Sequence, residues 1–242
     1  MFVLLTQNCK KDNDSSSNSN STTTDTVPAV YKKIYGATDL YVDGDYIIIK
    51  SNGRPEHKSP YYMNTEWSST LYEAYNGSNT SWSQNPNKIS TVNYTFKIPK
   101  NPSVASSHSS TPLGAIGISL NGIPFYNQYA GPSQPLTTEI NSFDQYNGHP
   151  QQTGAYHYHV EPLYITAAKG SDALLGFLLD GFPVYGSKEN GATITNADLD
   201  SYHGHTNVTA DYPNGIYHYH ITGTDPYING SGFYGTAGTV TN

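Results

Sequence analysis

Apolar and polar residues alternate through "LYVDGDYIIIK" (40–50) and again through "VNYTFKIP" (92–99), the two-residue period of a half-buried strand. Asp43-Gly44 interrupts the first run where a hairpin turn would join two short arms. "SWSQNPNK" (81–88) is loop chemistry, punctuated by Asn, Pro and Ser. Helical periodicity is scarce. Its best signals are single turns, in "PLTTEINSFDQY" after Pro135 and in "TNADLDSY" (195–202), where Thr195 or Asn196 can cap. The most apolar stretch, "ALLGFLLDGFPVYG" (173–186), reads as a core strand running into a tight turn at Asp180-Gly181. The pattern predicts a mainly β, sandwich-like single domain with few short helices.

The pattern also repeats. "GISLNGIPFY" (117–126) matches "GFLLDGFPVY" (176–185) at an offset of 59, "FDQYNGH" (143–149) matches "LDSYHGH" (199–205) at 56, and "YHYH" at 156–159 matches "YHYH" at 217–220 at 61. Order is preserved throughout. This predicts an internal tandem duplication, with repeat 1 over 113–170, repeat 2 over 171–242, and the extra residues of the second copy between His205 and His218. Two units are too few for a solenoid, so the expectation is two β-rich halves about a pseudo-twofold axis. The segment 31–112 is expected to add strands to the first half and cover its edge.

Within each "YHYH", strand geometry sends the two His to one face and the two Tyr to the other. His157 and His159 therefore face together, as do His218 and His220. Side-chain origins about 6.5 to 7 Å apart let two imidazoles tilt onto one ion at metal–nitrogen distances of about 2.0–2.1 Å. His149 in "NGHP" and His205 in "HGHT" occupy matching upstream positions and complete a trio in each copy. The trios would bind one ion each or share one between the halves. Imidazole suits zinc and copper, and ligand type alone does not separate Cu from Zn. Asp144 and Asp200 recur five residues before His149 and His205 and can orient a ligating ring, and His203 is an extra neighbour in the second copy. The competing reading is a cross-strand ladder of aromatics, with His218 and His220 bonded to backbone or to Asp200 and no ion. His57 and His108 fall in loop-like segments and read as surface residues.

Composition narrows the setting. The chain of 242 residues is 36% hydrophobic, with 22 Tyr and 22 Gly, so its interior is aromatic more than aliphatic. Net charge is -7 with 12 Lys plus Arg, which leaves no electrostatic footprint for nucleic acid. The single cysteine, Cys9, excludes an intrachain disulfide framework and thiolate zinc sites, so a metal would be held by His and oxygen. No apolar stretch is long enough for a transmembrane segment. Residues 1–30 read as a short apolar remnant, Cys9, and a Ser/Asn/Asp/Thr-rich tether. This stretch resembles the end of a bacterial lipoprotein signal, although Asn8 is larger than the usual residue before the cut and the positive start is missing. The resemblance implies an extracytoplasmic protein anchored at the outer membrane or cell surface through a lipidated Cys9, with the globular domain over 31–242.

"LLDGFPVYG", "LDSYHGH", "GIYHYHIT" and "DPYINGSGFYG" together resemble the YHYH-domain family of secreted bacterial proteins, over most of Leu113 to Gly238. The resemblance implies the domain and a secreted setting, and no particular reaction. The family pattern carries Cys where this chain has Tyr202 and again near Ser231, so no disulfide-stapled C-terminal segment is implied here. Three functions then compete. The first is extracytoplasmic Cu or Zn binding by the His trios. The second is a metal-dependent hydrolase or copper oxidase, in which Asp180, Tyr217 or Tyr219 assists proton transfer beside a metal-bound water. The third is a glycan-binding or adhesive module using Trp67, Trp82 and the aromatics of "SPYYMNTEW".

Overall fold

The computed structural model describes residues 1–2 and 26–242. Cys9 and most of the tether lie outside the described residues. The chain is mainly β. In chain order the first strands are β1 (Asp39–Asp43), β2 (Tyr46–Ser51), β3 (Tyr94–Pro99), β4 (Ala115–Ser119), β5 (Pro124–Tyr126), β6 (Tyr129–Ala130), β7 (Gln134–Pro135), β8 (Gly148–Pro150) and β9 (Tyr156–Tyr158). They continue as β10 (Leu174–Leu178), β11 (Pro183–Tyr185), β12 (Lys188–Glu189), β13 (Ala192–Thr193), β14 (Gly204–Asn207), β15 (Ile216–His220) and β16 (Thr239–Thr241). Two short helices, α1 (Ser68–Leu71) and α2 (Leu163–Lys169), complete the elements together with four 3-10 turns. No helix among the described residues is long and apolar enough to cross a membrane.

Two sheets carry the fold. The smaller has the order β1-β2-β3-β16, and the larger has the order β14-β15-β11-β10-β4-β5-β9-β8. The Asp43-Gly44 hairpin joins β1 to β2, with Asp43 opposite Tyr46 and Gly44 at φ +58°. Contrary to expectation, 31–112 adds no strand to the histidine-bearing sheet. Its strands form a separate sheet, closed by β16 from the far end of the chain through the pairs Thr239–Lys97 and Thr241–Thr95. The reason is the burial pattern. Ile47 and Ile49 of β2, with Tyr94, Phe96 and Ile98 of β3, form one apolar face that packs into the same core as Ile118, Phe125 and Phe177. Tyr31 stacks on Phe177 at 4.3 Å, and Ser51 Oγ donates to the Gly122 carbonyl at 2.5 Å, so the sheets are stitched as well as packed.

The large sheet reads in the same order from either edge toward its centre. At the centre β10 and β4 run antiparallel with Phe177 opposite Ile118, residues that are also partners in the sequence repeat. Gly117 and Gly176 flank that pair. A Cβ on Gly117 would run into the Phe177 carbonyl, and one on Gly176 into the Ile118 carbonyl, so glycine is required at both for the strands to meet. Outward from the centre, β5 pairs parallel with β9, and β11 parallel with β15. The turns entering β5 and β11 use Gly122 at φ +81° and Gly181 at φ +85°, a region that penalises any Cβ. The result carries the two "YHYH" strands to opposite ends of one rigid sheet.

Candidate metal centres

In each half the "YHYH" strand pairs antiparallel with the strand that carries the upstream histidine, in a register that sets His149 directly opposite His157 and His205 directly opposite His218. Cross-strand neighbours have Cβ atoms about 4.5–5.5 Å apart, while i and i+2 residues share a face. Three imidazoles therefore converge by backbone geometry alone. In the first cluster His157 Nε2 lies 3.1 Å from His149 Nε2 and 3.0 Å from His159 Nε2. In the second, His218 Nε2 lies 3.2 Å from His205 Nε2 and 3.1 Å from His220 Nε2.

A carboxylate joins each trio. Glu139 Oε1 lies 3.1 Å from His149 Nε2, and Glu189 Oε1 lies 3.3 Å from His218 Nε2. The four donor atoms of Glu139, His149, His157 and His159 all fall within 4.8 Å of one another, as do those of Glu189, His205, His218 and His220, so each group can hold a metal ion. Sequence reasoning missed both glutamates. Glu139 stands on the 3-10 turn Glu139–Ser142, and Glu189 on the β12–β13 hairpin. At the offset of 59 Glu189 answers to Ala130, and at the offset of 56 Glu139 answers to Thr195, so the repeat pointed to neither.

The outer nitrogens fix the tautomers. His157 Nδ1 is 3.0 Å from the Ala155 carbonyl and His159 Nδ1 is 2.5 Å from the Asn127 carbonyl. Their counterparts repeat this, with His218 Nδ1 at 3.0 Å from the Ile216 carbonyl and His220 Nδ1 at 2.7 Å from the Gly186 carbonyl. A carbonyl only accepts, so each Nδ1 carries the hydrogen and each neutral ring turns a bare Nε2 lone pair inward. Ser142 Oγ donates to the Glu139 carbonyl at 2.8 Å and lies 2.7 Å from His149 Nδ1, which holds the third ring in place.

Burial reinforces the neutral state. It drives His157 well below the ordinary imidazole range, helped by His149 and His159, and it drives His159 down to about 4 against the opposing bond to the Asn127 carbonyl. Burial likewise lowers His218, and lowers His220 to about 4. For Glu139 burial pushes upward, but the bond from His149 and the nearby imidazole charges outweigh it and hold the carboxyl below its usual value. Burial also pushes Glu189 upward, and the Asn207 bond with the imidazoles of His205 and His218 reverses it.

The predicted supporting residues are elsewhere. Asp144 accepts from Tyr156 Oη at 2.9 Å, from Ser59 Oγ at 2.6 Å and from the Tyr146 amide at 2.9 Å, and not from an imidazole. Asp200 accepts from Tyr217 Oη at 2.9 Å and the Tyr202 amide at 2.9 Å. Both aspartates hold the turn before the Gly-His pair and the tyrosine on the far face, while backbone carbonyls orient the rings. His203 sits apart, with Nε2 at 3.2 Å from Asn196 Oδ1 and 3.0 Å from Thr222 Oγ1. Asp180 is buried and accepts from Tyr219 Oη at 2.6 Å and the Gly235 amide at 2.9 Å. Tyr217 and Tyr219 point away from the trio on the alternate face of β15, so none of these three is placed to move a proton at the imidazoles.

Two further expectations change. His57 is buried, not superficial: its Nε2 lies 3.2 Å from Tyr158 Oη and its ring packs on Tyr146 at 4.5 Å. His108 is exposed and stacks on Tyr202 at 4.3 Å. The aromatics that suggested glycan binding are engaged internally. Tyr61 and Tyr62 are fully buried, Trp82 stacks on Tyr75 at 4.4 Å, and the Arg54 guanidinium covers Trp67 at 4.4 Å.

The clusters belong to two separate centres. Five strand-to-strand steps separate β9 from β15, about 24 Å at about 4.8 Å per step, so a single shared ion is ruled out. A β sheet presenting matched His/Glu clusters from "YHYH" strands defines the class of protein. The chain belongs to the family described as YHYH protein, which matches residues 95–197 and 188–232 and so spans more than half of the sequence. No curated protein and no solved structure matches the chain.

Proposed function

We propose that this protein binds transition-metal ions, Cu or Zn, at two centres, Glu139–His149–His157–His159 and Glu189–His205–His218–His220, one in each copy of a duplicated unit. The observation that carries the reading is the inward convergence of three Nε2 atoms at 3.0 to 3.2 Å in both clusters. Lone pairs of neutral rings repel at that distance. Donors about 2.0–2.1 Å from one tetrahedral ion lie about 3.3–3.4 Å apart, so a cation at the centre converts the repulsion into ligation. The setting that fits is extracytoplasmic, with lipidation of Cys9 tethering residues 31–242 to the outer membrane or cell surface and the job being metal sequestration or delivery.

A second reading is a metal-dependent hydrolase or oxidase. What favours it is a cavity of about 660 Å³ whose wall includes His218, His220 and Glu189. Elemental analysis of protein purified without chelator, then reloaded with zinc or copper, tests the first reading. Two tightly held equivalents per chain are expected, and none after either treatment overturns it. A turnover screen run with and without bound metal separates carrier from enzyme.

A further inference from the structure

Three lysines, Lys33, Lys169 and Lys188, and three carboxylates, Asp172, Glu189 and Asp211, share the wall of the cavity beside the second cluster. Their charges cancel. Lys33 is already paired with Asp211. Lys169 approaches only the Tyr35 ring, at 5.9 Å, and neither it nor Lys188 has an acidic partner among the described residues. Glu189 Oε1 is buried without a hydrogen-bond partner. Much of the remaining wall is apolar, formed by Tyr35, Leu120, Leu174 and Tyr185.

An ion in the second cluster would upset this balance. A divalent cation adds two positive charges to a neutral wall and takes up Glu189, which leaves Lys169 and Lys188 with Asp172 alone to balance them on the solvent side. We propose, resting on the metal reading above, that the cavity binds a small organic carboxylate with an apolar or aromatic body, and that it does so only when the second centre holds its ion. The carboxylate end lies between the ion and Lys188, and the body lies against Leu120, Leu174 and Tyr185. Asp172 in the same wall disfavours a dianion such as phosphate. The first centre offers no equivalent, because Phe143 packs on His149 at 4.8 Å and Tyr126 stacks on His157 at 3.9 Å.

The test uses the full chain loaded with zinc, with benzoate as the probe and inorganic phosphate as the contrast, read by titration calorimetry beside zinc content. One saturable benzoate site per chain is expected in the zinc form, at least about tenfold weaker in the metal-free form. In Lys188→Gln, with zinc content unchanged, loss of one partly exposed charge partner should weaken it about fivefold. Two retained zinc ions without saturable benzoate binding overturn the proposal and leave the metal reading standing. Equal benzoate affinity with and without zinc, or tighter binding of phosphate, overturns it as well. Failure to retain zinc shows in the content measurement alone and removes both readings.

Discussion

The two centres are built from the same strands and finished differently. In the first, Phe143 and Tyr126 lie against the imidazoles, and the His149 side chain is only 4% exposed. In the second, Leu199 stands at the Phe143 position, His205 is 25% exposed, and Tyr185 swings its hydroxyl to Thr209 and Asp211 at the cavity wall. Covered sites suit permanent, structural ions, and sites beside a cavity suit exchange or chemistry. On the proposed metal reading, one scaffold would separate holding an ion from using one, by changing what surrounds the trio and not the trio itself.

The sharpest test of that contrast is His157→Ala. It should remove one of two bound ions and destabilise the protein by about 3 to 5 kcal/mol, because a fully buried ring and its bond to Ala155 are lost together. Metal content and denaturant unfolding check it, and two retained ions would show that the covered cluster is not a site. Next in size is Asp180, which stands where the first half has Asn121. Burial lifts its carboxyl from 3.8 to about 6, against bonds from Tyr219 and the Gly235 amide. A raised native pKa means the folded state holds the proton more tightly. This contribution is complete below about pH 4 and is lost as pH rises through about 6, roughly 3 kcal/mol in all. Unfolding free energies measured from pH 4 to 7 should decline by an amount that Asp180→Asn abolishes, and an unchanged slope in the variant would refute the assignment.

A smaller effect is expected from His218→Ala. It should release the other ion yet cost only about 1 to 2 kcal/mol, because the neighbouring cavity lets the site relax. A stability loss equal to that of His157→Ala would erase the distinction between the centres. The mildest change is Phe143→Leu, which imitates the second half. About 1 kcal/mol of packing should go, and chelator extraction of the first ion should become faster while metal stoichiometry stays at two. Extraction at the original rate would mean that the aromatic cover does not protect that centre.

Most of the His arrangement was legible because it depends on strand parity and on repeat alignment, both of which are local. Alternation alone puts His218 and His220 on one face, and the matched Gly-His pair points to His205 as their neighbour. The glutamates were hidden because each reaches its cluster from an element that the partner copy uses otherwise: Thr195 caps the turn Asn196–Asp198, and Ala130 lacks any side-chain donor. The expected turn at 195–202 appears as Asn196–Asp198 with Thr195 as its cap, whereas α2 went unread although Pro162 precedes it and Gly170 ends it at φ +105°. The placement of 31–112 was misjudged for a different reason. Alternation says which face of a strand is apolar, but not which sheet it will join, and β3 found its last neighbour in residues 239–241, far along the chain.

That last pairing interlocks the polypeptide. The stretch after residue 232 leaves the second half, crosses to the other sheet and fastens beside β3, so the repeats are not beads that can be parted by snipping the thread between them. A backbone nick at the exposed Asp172 should leave two fragments that co-migrate on gel filtration and come apart only under denaturant.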